Sequence, residues 1–191
     1  MTDFTILKKF DITFQPTKAP KIIEVIWHPQ IDPWIKCNID GCATSTTSSY
    51  GGIFRNATAD ALLCFADNIG EGNAFQAELI GAMTTIEIAH QQGMNHLWLE
   101  LDSAMVVHVL NRNSQVPCKL RNRWRNCNQL IKNMNFIVSH VYREGNQCAD
   151  GLANIGLTLT NFTSWNAIPS NLQSHFVLNK LGWPNFRFVP F

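Results

Sequence analysis

The period of the apolar residues changes once along this chain, and that change constrains the fold more than any other feature. Between Trp34 and Gly70 the pattern belongs to strands. In "WIKCNID", Ile35, Cys37 and Ile39 fall on one face, and Trp34, Lys36, Asn38 and Asp40 on the other. "GGIFRN" and "ALLCFADNIG" read as two further strands joined by a turn around Thr58–Asp60. From Asn73 the period becomes helical. Ala77, Ile80, Thr84 and Ile88 recur at helical spacing, and Gly93 stands where a C-cap is expected. Helix and strand then alternate through "HLWLELD", "SAMVVHVLNR", a basic helix over 119–133, "NFIVSHVYR" and "NQCADGLANIGLTLT", the last with Asn146 as its cap. The order β-β-β-α-β-α-α-β-α predicts an α/β fold. Its sheet is five-stranded and mixed, a three-strand antiparallel meander plus two parallel strands, flanked by helices on both faces.

Outside that pattern the chain offers less. Residues 1–33 hold Pro16, Pro20, Pro29 and Pro33 without sustained periodicity, as an extended arm or linker does. The periodic region spans 34–159, and 160–191 form an extension rich in aromatics and Asn. A hydrophobic content of 46% supports a sizeable core, and a net charge of +1 predicts neither strong attraction to nucleic acid nor repulsion from it. The distribution of charge says more. Between Asn111 and Ser139 there is no Asp or Glu, but there are Arg112, Lys119, Arg121, Arg123, Arg125 and Lys132. Such a surface either attracts a phosphate backbone or is a solvated helix face. The six cysteines form no C-x-x-C pair, so buried free thiols in a reducing compartment are expected. No signal peptide or membrane-spanning run is evident. The expected location is therefore intracellular, nuclear or cytoplasmic, with no secretion and no membrane partner.

Four acidic residues stand out by placement. Asp40 and Asp102 each end a strand on its less apolar face. If those strands are parallel neighbours, the two carboxylates lie side by side at the carboxyl edge, where open α/β sheets place their sites. Glu78 is early in the long helix, within "FQAELIGA", and Asp150 is in the first turns of the last helix. Each also has a plain structural explanation. Asp40-Gly41 suits a tight turn, Asp102 a helix cap, Asp150 the helix dipole and Glu78 a solvated helix face. Glu100 is a competing candidate, set further from the strand end. Those explanations do not account for the joint arrangement. Clustered carboxylates repel, and one takes up a proton unless a cation compensates. Magnesium suits an all-carboxylate site open to water and phosphate, and two such ions can serve an in-line displacement.

Taken together, "KCNIDG", "YGGIFRN", "FQAELIGA", "LWLELDS" and "SHVYREGNQCADGLAN" resemble the type 1 ribonuclease H family. The closer likeness is to the reverse-transcriptase-like ribonuclease H domains of plant non-LTR retroelements. The resemblance covers roughly 34–156, with every segment in family order. It implies an endoribonuclease that cuts the RNA strand of RNA–DNA hybrids, with Asp40, Glu78, Asp102 and Asp150 holding two Mg²⁺ ions, or Mn²⁺ in their place. It implies that His140, ten residues before Asp150, assists proton transfer or product release. It places Gly41, Cys42 and Ala43 against the RNA strand, and Asn73 and Gln76 near the hybrid minor groove. Arg121, Arg123 and Arg125 would grip the phosphates of the DNA strand. The turn "DGCATSTTSSYGG" departs from the family's glycine-rich form. A non-catalytic nucleic-acid-binding or structural module of retroelement origin is the alternative. The expected state is a monomer, or a unit beside a polymerase domain in a larger polyprotein.

Overall fold

The computed structural model describes residues 19–112 and 116–189, without the side chain of Arg112. The first part of the N-terminal arm and the Arg112 charge lie outside the described residues. The strands are β1 (Lys21–Val25), β2 (Ile35–Ala43), β3 (Ser48–Arg55), β4 (Ala61–Gly70), β5 (His96–Leu101), β6 (Asn135–His140), β7 (Thr163–Trp165) and β8 (Asn185–Val189). The helices are α1 (Ala74–Gln91), α2 (Ala104–Arg112), α3 (Arg121–Ile131), α4 (Gln147–Gly156) and α5 (Gln173–Lys180).

The main sheet runs in the order β6-β5-β2-β3-β4-β7. β2, β3 and β4 form the antiparallel meander, and β5 and β6 are parallel to β2. The sheet thus has six strands rather than the expected five. The additional strand, β7, is three residues long and pairs with the outer edge of β4. Three residues are too few to show an alternation, so the pattern could not reveal it. β1 and β8 pair with each other in a separate antiparallel ribbon.

The sequence pattern misplaces one turn. The chain does not reverse at Asp40-Gly41: β2 continues to Ala43, with Gly41 opposite Tyr50 and Cys42 opposite Ser49. The reversal comes at Thr44–Thr47. There Thr44 Oγ1 accepts from the amides of Thr46 (3.3 Å) and Thr47 (3.1 Å), and Thr44 N–H donates to the Thr47 carbonyl (2.7 Å). Hydroxyl-to-backbone bonds of this kind close a turn without glycine.

Two glycines set how closely the helices approach. A Cβ on Gly41 would lie 2.4 Å from the Glu78 amide nitrogen, so α1 crosses directly on β2 there. A Cβ on Gly51, the residue opposite Asp40, would lie 2.4 Å from the Ala153 nitrogen of α4. Adjacent strand residues point to opposite faces, so α1 and α4 cover opposite sides of the sheet. Under α1, α2 and α3 lies the larger core, with Cys37, Ile39, Phe54, Phe65, Leu97, Leu99 and Leu101 all fully buried. Full burial of each large aliphatic side chain contributes about 1.5–3 kcal/mol. Trp124 of the basic helix belongs to this core. Under α4 and α5 lies a smaller cluster around Ile53, Cys64, Cys148 and Leu152.

The rest of the α4 side is polar, and it anchors the segment between β1 and β2. Trp27 is 1% exposed and donates to Asn38 Oδ1 at 2.9 Å, while the fully buried Arg55 guanidinium stacks 3.6 Å over the Trp27 ring. Arg55 also donates to Asn38 Oδ1 (2.8 Å). Glu100 accepts from Asn38 (2.9 Å) and Lys36 (3.2 Å). Buried charges persist only when paired and hydrogen-bonded, and this network meets that condition for Lys36 and Glu100.

Candidate active site

β2 and β5 are parallel neighbours, with Ile39 opposite Leu101. The next residues along, Asp40 and Asp102, therefore lie side by side where β5 ends, while β2 runs on to Ala43 beside β3. The close crossing at Gly41 brings α1 over this point and delivers Glu78. Carboxylate oxygens of Asp40, Glu78 and Asp102 all lie within 4.8 Å of one another, the only such grouping of potential metal ligands among the described residues.

The electrostatics of the cluster are strained. Asp40 and Glu78 are 6% and 8% exposed. Burial, reinforced by the charges of Asp102, Glu78 and Asp150, pushes the Asp40 carboxyl up to about 8, although the Gly41 amide donates to it at 2.7 Å. Burial and then the Asp102 charge push Glu78 up to about 7, against the pull of the Ser103 hydroxyl. Asp102 is raised as well, by burial first and by Asp150, while Arg143 and His140 oppose the rise. Glu78 Oε2 is buried and has no hydrogen-bond partner. A buried carboxylate with an unpartnered oxygen, grouped with two further carboxylates, suits a divalent cation, which supplies the missing positive charge and coordination at once.

Asp150 stands beside this triangle rather than in it. It sits in the first turn of α4 and pairs with Arg143 at 3.1 Å. Asn154 donates to its other oxygen at 3.2 Å. Its charge still acts on Asp40 and Asp102. Asn146 does not cap α4 with its side chain, as its position suggested; instead Nδ2 donates to the Ile39 carbonyl at 2.8 Å. That bond ties the start of α4 to β2 one residue before Asp40. The sequence did not show these roles, although both residues lie within "SHVYREGNQCADGLAN": the Asn146 tie needs a contact across the fold, and the Arg143 pair needs the loop to turn back on the first turn of α4. His140 ends β6 and its Nε2 lies 2.9 Å from the Asp102 carbonyl. Glu100 is excluded from the cluster, since the buried network of Lys36 and Asn38 holds both its oxygens.

The residues expected to meet nucleic acid are largely engaged within the fold. Asn73 is the N-cap of α1 and accepts from the Gln76 amide at 2.9 Å. The Gln76 side chain is half-buried near Gly72. Arg123 turns inward and forms a two-pronged bond to Glu87 (2.9 and 2.6 Å), with Thr84 at 2.7 Å. Arg121 and Arg125 are exposed, one turn apart on α3. Gly41 and Cys42 lie in the β2–β3 ladder, with Cys42 Sγ 3.1 Å from Ser49 Oγ, and Ala43 is exposed at the strand end. All six cysteines are free: Cys37, Cys64, Cys127 and Cys148 are buried, Cys42 is half-buried and Cys118 exposed. Among the described residues no helix is long and apolar enough to cross a membrane.

This is a mixed α/β sheet with an acidic cluster at its carboxyl edge, the fold of ribonuclease H1. The family model described as reverse transcriptase-like matches residues 38–156, and the chain belongs to that family. An Arabidopsis thaliana protein, provisionally named a ribonuclease H protein, is 32% identical over 168 residues. The alignment spans 85% of this chain but only 27% of that relative. Among solved structures, ribonuclease H1 of the archaeon Halobacterium salinarum superposes with a TM-score of 0.59 at 23% identity, over 65% of this chain and 98% of that one. LC11-RNase H1, isolated from compost and solved with an RNA/DNA hybrid, gives 0.58 at 20%, over 65% and 96%. The protease–reverse transcriptase of prototype foamy virus gives 0.58 at 16%, over 78% of this chain and 22% of that one. At these identities the structural likenesses define the fold alone.

Proposed function

We propose that this chain is a metal-dependent endoribonuclease that hydrolyses the RNA strand of an RNA–DNA hybrid. The observation that carries the reading is the convergence of Asp40, Glu78 and Asp102 from a strand, a helix and a second strand, with Glu78 Oε2 buried and unpartnered. That donor set fits hard cations with oxygen ligands, Mg²⁺ or Mn²⁺. Asp40, Glu78 and Asp102 would hold one ion, and Asp40 with Asp150 a second. Two ions so held supply activation of a water and charge stabilisation at the departing 3′-oxygen.

The chain's own residues do the rest. The Gly41 amide fixes one oxygen of Asp40 and leaves the other for binding. Asn146 and Arg143 orient the start of α4 and the Asp150 carboxylate. His140, whose Nε2 lies against the Asp102 carbonyl, would assist proton transfer or product release. Exposed Arg121 and Arg125 would meet phosphates of the DNA strand. Hybrid binding by a relative of this fold, LC11-RNase H1, supports the substrate class. A polymerase domain in the same polyprotein is the partner that the foamy virus likeness suggests.

Two observations favour a second reading, a nucleic-acid-binding or structural module that keeps the fold without cutting. The Thr44–Thr47 turn hydrogen-bonds to itself, and Asn73 is engaged as a cap, so the expected grip on the RNA strand is altered. Incubation with a labelled hybrid, in Mg²⁺ and in EDTA, separates the two. Metal-dependent cleavage leaving 5′-phosphate and 3′-hydroxyl ends supports the nuclease. Binding without cleavage at high protein concentration supports the module.

A further inference from the structure

The family match ends at residue 156, yet the last strand of the chain returns to the site. β8 pairs with β1, with Val25 opposite Asn185. This ribbon rests on residues 141–146, the loop between His140 and the start of α4. Three contacts join them. Arg187 Nη1 lies 3.4 Å from Glu144 Oε2. The Arg187 guanidinium sits 4.9 Å over the Tyr142 ring. A Cβ on Gly145 would meet Val25 Cγ1 at 3.2 Å, so β1 presses directly on the loop.

The same loop carries the groups that surround the carboxylates. Tyr142 packs edge-on against His140, with ring centroids 5.7 Å apart, and His140 reaches the Asp102 carbonyl. Arg143, flanked by Tyr142 and Glu144, pairs with Asp150. A half-exposed ion pair contributes little by itself. Arg187, however, touches residues on both sides of Arg143, and one side chain thereby restricts the path of the loop. Such outer contacts decide how well metal ligands are held in place.

We infer that Arg187 is a positioning residue: through Tyr142 and Glu144 it fixes the 141–146 loop, and so orients His140 and Asp150 at the carboxylate cluster. The C-terminal extension is then a working part of the site. The inference rests on the metal-site reading above, and its test does not depend on catalysis. Arg187→Ala and Arg187→Lys are compared with wild type in the full chain. Hydrogen exchange over 141–150 is measured first, and then Mn²⁺ affinity by electron paramagnetic resonance without substrate. Arg187→Ala should speed exchange in that loop while β2 and α1 keep theirs. It should weaken Mn²⁺ binding by about tenfold, and Arg187→Lys should recover part of both. On a hybrid substrate the loss should fall on kcat, with KM within about twofold. Phe188→Ser alters the exposed face of the same ribbon and should change none of these. Unchanged loop exchange overturns the inference, and so does faster exchange with Mn²⁺ affinity intact. Wild-type protein that binds Mn²⁺ but cuts nothing overturns the nuclease reading alone, and the Mn²⁺ comparison still decides the role of Arg187.

Discussion

The carboxylate edge and the residues expected to grip nucleic acid differ in how far their polar groups are satisfied. At the edge, three carboxylates crowd within 4.8 Å and one buried oxygen has no partner. On the expected grip, Asn73 caps a helix, Arg123 is held by Glu87 and Thr84, and the threonine turn closes on itself. An unpartnered oxygen amid crowded carboxylates marks a place where a cation fits, whereas these engaged side chains serve the fold. Asn73 and Arg123 look alike from the sequence as nucleic-acid contacts, yet in the structure both hold helices in place.

The largest effect that tests this contrast is at Asp40. Asp40→Asn removes charge but little volume, so hybrid cleavage should fall by roughly 10³-fold or more, while circular dichroism stays native. Retained cleavage would show that the site has been misassigned. Next comes Gly41→Ala, whose methyl would collide with the Glu78 amide at 2.4 Å. Backbone cannot give way easily there, so a loss of about 2–3 kcal/mol is expected in urea unfolding. An unchanged midpoint would mean that α1 does not cross β2 as closely as described.

A third effect follows from protonation. The folded-state values of Asp40 (about 8, from 3.8) and Glu78 (about 7, from 4.5) lie above their ordinary ones. Their contribution to stability is therefore fully present below about pH 4 and is lost as pH rises through 7 and 8. Metal-free protein should lose stability over that range, and Mg²⁺ should restore it. The Mg²⁺-dependent gain in Tm should be near zero at pH 5 and reach about 5 °C at pH 8. Asp40→Asn should flatten the metal-free profile. A Mg²⁺ gain independent of pH would break the link between the cluster and the ion.

The smallest effects separate the arginines. Arg121→Ala with Arg125→Ala should leave Tm unchanged and reduce the salt slope of hybrid binding by about two charges. Arg123→Ala should instead lower stability by about 1–2 kcal/mol, because it removes the ion pair of Glu87 and one of the bonds of Thr84, and should leave the salt slope alone. The reverse pattern would return Arg123 to the binding surface.

Much of this molecule was legible in its sequence, for identifiable reasons. β2 and β5 alternate cleanly, and the acids at their ends stand out because little else on those strands is acidic. α1 shows its start at Asn73 and its end at Gly93, whose φ of +69° suits the helix stop. β7 escaped notice because it is short and has meaning only beside β4. The Asp40-Gly41 turn was misread because local propensity favours it. Gly41 serves a different need, the close passage of α1, which no neighbouring residue reveals.

By itself the sequence determined the order of elements within 34–159, the two periods and the positions of the four acids; β1, β7, α5 and β8 lay outside that order. What it determined depends on side-chain alternation and chain order, which are local. Tertiary structure decided that Glu78 joins Asp40 and Asp102, that Glu100 is drawn away by Lys36 and Asn38, and that Asp150 stands with Arg143. It also decided that β8 comes back to the loop before α4. Apart from the Arg143–Asp150 pair, seven positions apart, these are contacts between residues tens of positions apart, and only close packing brings them together.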